Sequence, residues 1–161
     1  MSSKPLFKGS HMDVEALERR VQQLEDREAI IAAVVEYARA IDRADWQAYG
    51  DLHTDPVHID FSEAGLPPAD FPREQFVGFA AQNLETWDAR QHLSTNHQVR
   101  FDGDDRAVCA SYLYAQHYRK GEPVYLMRGW YDHHLVRVEG AWWISGVVQH
   151  ISWLEGAPET R

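Results

Sequence analysis

Three side chains in this sequence are suited to moving a proton: Asp42, His92 and His117. Histidine takes and gives protons near neutral pH, and a carboxylate beside it fixes the imidazole tautomer and stabilises the imidazolium that forms. His92 and His117 lie near the outer ends of the stretch 91–120, QHLSTNHQVRFDGDDRAVCASYLYAQHYRK, in which two alternating runs flank Asp102-Gly103-Asp104-Asp105. That turn signal predicts a β-hairpin. With Gly103 and Asp104 as the two central turn residues, His92 faces Ala115 and His117 is its diagonal neighbour on the same face, their Cβ atoms on the order of 7 Å apart. A loop one residue longer puts the rings on opposite faces, because side chains alternate with period two. Ala107, Cys109, Ser111, Leu113 and Ala115 share the face of His117, and all but Leu113 are small. Such a row leaves room for a ligand above the sheet. Tyr112, Tyr114 and Tyr118 fall on the other face. The alternative reading of either histidine is a ring simply satisfied at a strand end.

Asp42 must be delivered by a helix. From Asp13 to about Asp42 apolar residues recur at Leu17, Val21, Leu24, Ile31, Val35 and Ala38, steps of three and four with one wider gap. Four residues on, the stripe reaches Asp42, a carboxylate where the helix dipole disfavours negative charge. Either a function holds it there or it belongs to the helix-ending loop; Asp45, just before Trp46, is the better cap for a short second helix. That helix, Trp46 to His53, ends before Asp55-Pro56. Val57 to Phe61 reads as a short strand, and the segment with Gly65, Pro67, Pro68 and Pro72 as a loop. A third helix runs from Pro72 to about Trp87, with Phe76, Phe79, Ala80 and Leu84 on one face. Val124–Val138 and Ala141–Trp153 form two further strands joined at Glu139-Gly140. In the last of them Trp143, Ser145, Val147, Gln149, Ile151 and Trp153 share a face, and Trp153 is placed to close over a pocket. Helices followed by long antiparallel strands predict an α+β fold with helices on one face of a curved sheet.

Composition narrows the functions. The chain has 161 residues, of which 44% are hydrophobic and 12% aromatic, enough for one packed domain. Residues 1–11, MSSKPLFKGSH, resemble vector-derived sequence, leaving 12–161 as a single domain. Setting Lys4 and Lys8 aside deepens the formal net charge of −9 to about −11. That sign argues against nucleic acid and anionic membrane as partners. No apolar run has the length of a membrane span and no signal-peptide core stands out. One cysteine, Cys109, builds neither an internal disulfide nor a thiolate cluster, so a cytoplasmic setting is expected. The nine histidines show no HExxH-like spacing, and His133 and His134 point to opposite faces, so no metal or cofactor is expected. The tyrosines on the back of the 109–118 strand, with Trp130 and His134 beside them, leave an apolar patch that suggests a homo-oligomer.

The ordered set Tyr37-x4-Asp42-x3-Trp46, His92-Leu93-Ser94-Thr95-Asn96, an aspartate-glycine turn, Gly129-x2-Asp132 and Glu139-Gly140-x-Trp142-x-Ile144 resembles the SnoaL-like branch of the NTF2-like superfamily. The resemblance spans nearly all of Val14 to Trp153 and is nearest to the scytalone dehydratases, then to the hexachlorocyclohexane dehydrochlorinases. It implies a cone-shaped α+β barrel around a mostly apolar pocket, and a trimer, although other NTF2-like proteins are dimers. It also implies catalytic roles for Asp42, His92 and His117: His92, oriented by Asp42, as base, and His117 as general acid. The departures are as informative. Ile41 and Phe61 stand where the dehydratases have two tyrosines that act on the substrate carbonyl, and Gly129 and Tyr131 replace a serine and an asparagine. Tyr131 is the candidate to donate to a developing oxyanion in their stead. The pocket is expected to involve Tyr37, Tyr49, Phe61, Gly129, Val147, Gln149, Ile151 and Trp153. The function implied is a cofactor-independent, dehydratase-type lyase acting on a small hydrophobic or polyketide-like molecule. An isomerase or cyclase shares its first step, and a non-catalytic ligand-binding domain is the reading from another class.

Overall fold

A computed structural model describes residues 13–156, which form three α-helices and six β-strands. Helix α1 spans Val14–Arg43; Asp13 caps its start and Ala44, in the left-handed region at φ 55°, closes its end. Ile30, Val34, Tyr37 and Ile41, at steps of four, three and four, are buried against the sheet. The expected stripe is offset from them: Leu17, Val21 and Leu24 are exposed, Ile31 and Val35 are half-buried, and Ala38 is buried. Helix α2, Trp46–Gly50, is shorter than expected. Its cap is Asp45, whose carboxylate accepts from the Ala48 N–H at 3.0 Å. Asp42 is therefore not needed as a cap.

Strand β1 runs from His53 to Phe61 and a 3-10 turn, Ser62–Ala64, leads into β2, Leu66–Phe71. The proline-rich segment read as a loop is thus an edge strand. Pro67 and Pro68 are tolerated there because an edge strand need not donate on its outer side. Helix α3 covers Arg73–Leu84, with Phe76 and Ala80 buried and Phe79 exposed. Strands β3 (Ala89–Phe101), β4 (Arg106–Tyr118), β5 (Tyr125–Val138) and β6 (Ala141–Glu155) follow. The sheet order is β2-β1-β6-β5-β4-β3, with β1 and β6 parallel and every other pair antiparallel. It is an open α+β arrangement with β2 and β3 as edges, not a closed barrel.

Register departs from simple alternation in β1 and at three places in the hairpin strands and β6, and the latter three bear on the site. The β3–β4 loop is one residue longer than a two-residue turn: Asp102 N–H donates to the Arg106 carbonyl at 2.8 Å, and Phe101 pairs with Ala107. That spacing continued along β3 would align His92 with Gln116, on the outer face. A bulge between Thr95 and Gln98 absorbs the extra residue, with Asn96 at φ 57°, and returns His92 to Ala115. In β6, Ser145 is left over between Ile144, paired with Leu135, and Gly146, paired with His134. Ser152 is likewise left over between Ile151 and Trp153. Ile144, Val147 and Gln149 consequently face the core.

Candidate active site

Arg90 and His92 lie two residues apart on one face of β3, below the carboxyl end of α1. Asp42 meets His92 twice. Its carboxylate accepts the backbone N–H of His92 at 2.9 and 3.0 Å, and its Oδ1 lies 2.7 Å from the ring Nδ1. The proton is assigned to Nδ1 from that partner, which leaves Nε2 as the basic nitrogen. The side chains of His92 and Asp42 are 7% and 22% exposed, so the pair is held largely out of water. These two N–H groups are what favour a carboxylate at a helix end that would otherwise repel it.

His117 stands across the hairpin, its ring edge-on to His92 with centroids 5.3 Å apart. It also stacks near Tyr125 at 5.4 Å and Trp87 at 5.4 Å. Its Nδ1 is buried and makes no hydrogen bond among the described residues. Burial first, and then repulsion by His92, push its pKa down to about 4, against a hydrogen bond to the Tyr125 backbone and the charge of Asp42. At neutral pH it is an uncharged ring.

A cavity of about 450 Å³ opens on both histidines. Tyr37, Tyr49, Phe61, Tyr131 and Gln149 line it too, as anticipated. Gln149 Nε2 donates to the Tyr131 hydroxyl at 2.9 Å, and the Tyr37 ring lies between Tyr49 and Tyr131, with centroids 5.1 and 5.9 Å away. Burial holds the Tyr37 and Tyr131 hydroxyls well above the ordinary phenol pKa, so both remain protonated donors. Among the described lining residues Arg119 alone carries a permanent charge. It is committed to the Thr86 carbonyl and Glu122 while lying over the Trp87 ring.

Four expected pocket residues are elsewhere. Val147 is wholly buried in the core and does not line the cavity. Ile151 and Gly129 pair with one another at the bulge in β6. Glycine at 129 answers to backbone crowding, since a Cβ there would lie 1.8 Å from the His150 carbonyl oxygen. Trp153 is displaced to the outer face by the extra Ser152; it is 53% exposed and packs against Arg128, which also covers Tyr114. It cannot close over the pocket. Conversely, Trp87, Tyr125 and Met127 line the cavity and were not anticipated. Tyr125 and Met127 alternate on β5 with Tyr131, and that period-two signal was available to find them. No group of three metal-ligating side chains converges among the described residues, and none of their helices is long and apolar enough to cross a membrane.

Solved structures with this fold superpose well and are distant in sequence. A Kribbella flavida protein, Kfla4162, is 29% identical and superposes with a TM-score of 0.79 over 84% of this chain and 96% of its own. A candidate scytalone dehydratase from Novosphingobium aromaticivorans is 18% identical, with a TM-score of 0.77 over 88% and 93%. A hexachlorocyclohexane dehydrochlorinase from Novosphingobium barchaimii is 15% identical, with a TM-score of 0.76 over 84% and 92%. At these identities the last two establish shared fold and nothing further. No curated protein matches the chain. The family profile of the SnoaL-like domain matches residues 22–148, and the chain therefore belongs to the SnoaL-like domain family.

Proposed function

We propose that this protein is a cofactor-independent lyase that eliminates water, or a comparable leaving group, from a small uncharged hydrophobic molecule of polyketide-like character. The observation that carries the reading is the Asp42–His92 pair, hydrogen-bonded at 2.7 Å and opening on a largely aromatic cavity. His92 Nε2 takes a proton from a carbon next to a carbonyl. The C–H electron pair becomes the double bond of an enolate, and the Tyr131 hydroxyl, itself held by Gln149, donates to the oxyanion. Collapse of the enolate expels the hydroxyl on the next carbon, which leaves as water with the proton now on His92. A neutral His117 is unsuited to the general-acid role expected of it; its place is to bind the leaving oxygen while His92 serves as base and then acid. Walls lined by apolar rings exclude water and strengthen each of these interactions.

An isomerase differs only in returning the proton to a different carbon, and the Tyr131–Gln149 donor favours any reaction that passes through an enolate. The discriminating assay supplies β-hydroxy cyclic ketones in D2O and follows both deuterium entry at the acidic carbon and product formation by NMR. His92→Ala should lower deuterium entry by at least about 10². Equal rates in the variant and the parent would remove the reading in favour of a binding domain, and exchange with a rearranged product would select the isomerase.

The outer face of the sheet carries Tyr112, Tyr118, Trp130 and Trp153, each more than a third exposed. We propose that copies of this chain associate through it, as a trimer in the first instance. Light scattering of the purified protein that gives the mass of one chain would exclude this.

A further inference from the structure

We propose that Arg90 is the positioning residue of the Asp42–His92 pair: its guanidinium fastens the carboxyl ends of α1 and α3 to the strand that carries His92, and so fixes where the Asp42 carboxylate stands. The proposal rests on the base role given to that pair above. Arg90 Nε donates to the Ile41 carbonyl at 2.7 Å and Nη1 to the Leu84 carbonyl at 3.1 Å. Its Cζ lies 5.8 Å from the centroid of Trp46, the first residue of α2. The grip is therefore on the residue before Asp42, while His92, two positions along the same strand face, grips Asp42 itself.

Carbonyls at the end of a helix carry the negative end of its dipole. The Ile41 and Leu84 carbonyls each already accept one backbone N–H, from Ala44 at 3.1 Å and from Trp87 at 3.2 Å, so the guanidinium adds a second, charged donor to both and offsets the electrostatic cost of placing Asp42 at that end. Only a rigid fork spans carbonyls on two helices; a lysine ammonium has comparable charge and lacks the span. Arg90 does not line the cavity, so it acts through Asp42 and not on a substrate. Its charge also reaches His117, where it adds to burial and to His92 in disfavouring the imidazolium. The charged and titratable groups facing His117 are Arg90 and His92 from β3, Asp42 from α1 and Tyr125 from β5, and Arg119, just past the end of β4, lines the same cavity.

NMR of the full chain with labelled histidines decides this without a substrate. In the parent protein the His92 Nδ1–H, held by the carboxylate, should give a low-field resonance slow to exchange. Arg90→Gln should broaden or abolish that resonance and raise the His117 midpoint. Arg90→Lys, which keeps the charge and loses the fork, should weaken the resonance and leave the His117 midpoint low. If both variants melt earlier yet keep the resonance and the parent's His117 titration, Arg90 is a structural strut and the proposal is overturned. Absence of the resonance from the parent protein would instead overturn the Asp42–His92 reading and this proposal with it. Should Arg90→Gln fail to fold, the resonance in Arg90→Lys decides alone.

Discussion

Both oxygens of Asp42 are engaged by one residue, His92, through its backbone N–H and its ring. An asparagine in that place would still accept a hydrogen bond, but it has no charge to stabilise an imidazolium. Asp42→Asn is therefore expected to fold and melt much as the parent does while losing roughly 10² to 10⁴ in deuterium exchange. An unchanged exchange rate would make Asp42 a fastener between α1 and β3 and nothing more. The position of Asp42 could be read from the sequence because a carboxylate at the end of an apolar stripe contradicts both the stripe and the dipole. His92 and His117 were readable as a pair spaced across a turn. Arg90 was not, since one arginine among polar residues at a strand's start carries no mark of the two helix ends it reaches. His117 lies on the expected face, and its burial, which disfavours the imidazolium a general acid would need, depends on neighbours that spacing does not reveal.

At the level of elements, the dyad depends on a compensation. The longer β3–β4 loop turns His92 outward and the bulge at Asn96 turns it back. Alternation alone predicted the right face by assuming a tight turn and a regular strand, two departures that cancel. In β6 nothing cancels the extra Ser152, and the expectation for Trp153 failed for that reason. Bulges are set by backbone conformation, and a positive φ at Asn96 is the clearest local trace of one. Asparagine tolerates this region better than other residues with a Cβ, and β-branched residues tolerate it least. Asn96→Val should accordingly cost about 1 to 3 kcal/mol in urea unfolding and weaken the His92 Nδ1–H resonance, while Asn96→Gly should leave both close to the parent. A neutral Asn96→Val would mean that the bulge lies at another residue or that its backbone relaxes without loss.

For the molecule as a whole, the interior contains more histidine than catalysis requires, and this sets how stability responds to acid. His53 and His133 are 0% and 1% exposed, beside the core ring of Tyr37, and His117 is 4% exposed. His53 Nδ1 lies 2.8 Å from the Tyr49 carbonyl, whereas neither ring nitrogen of His133 has a hydrogen-bond partner among the described residues. Burial is the largest cause in each case, and it lowers the pKa of His53 to about 4, of His117 to about 4 and of His133 to about 3. Unfolding returns them to about 6.5, so between roughly pH 4 and 6.5 the unfolded chain binds more protons than the folded one and stability rises with pH. Above that window all three are neutral in both states and contribute no slope. Asp26, whose pKa is lowered by hydrogen bonds from Arg137, Trp142 and Gln22 that outweigh its burial, acts in the same direction only below its ordinary value of 3.8. The two effects overlap only below about pH 4, where His133 is still taking up its proton. The melting temperature should be flat from pH 7 to 8 and fall steadily from 6.5 to 4, each histidine withdrawing up to about 3 kcal/mol by the lower limit. His133→Phe should be nearly neutral at pH 7, since it removes a buried ring with no partner, and should make the fall between pH 6.5 and 4 shallower. A variant that loses stability with the parent's slope would show that His133 takes up no extra proton on unfolding, and the acid response would then rest on His53 and His117.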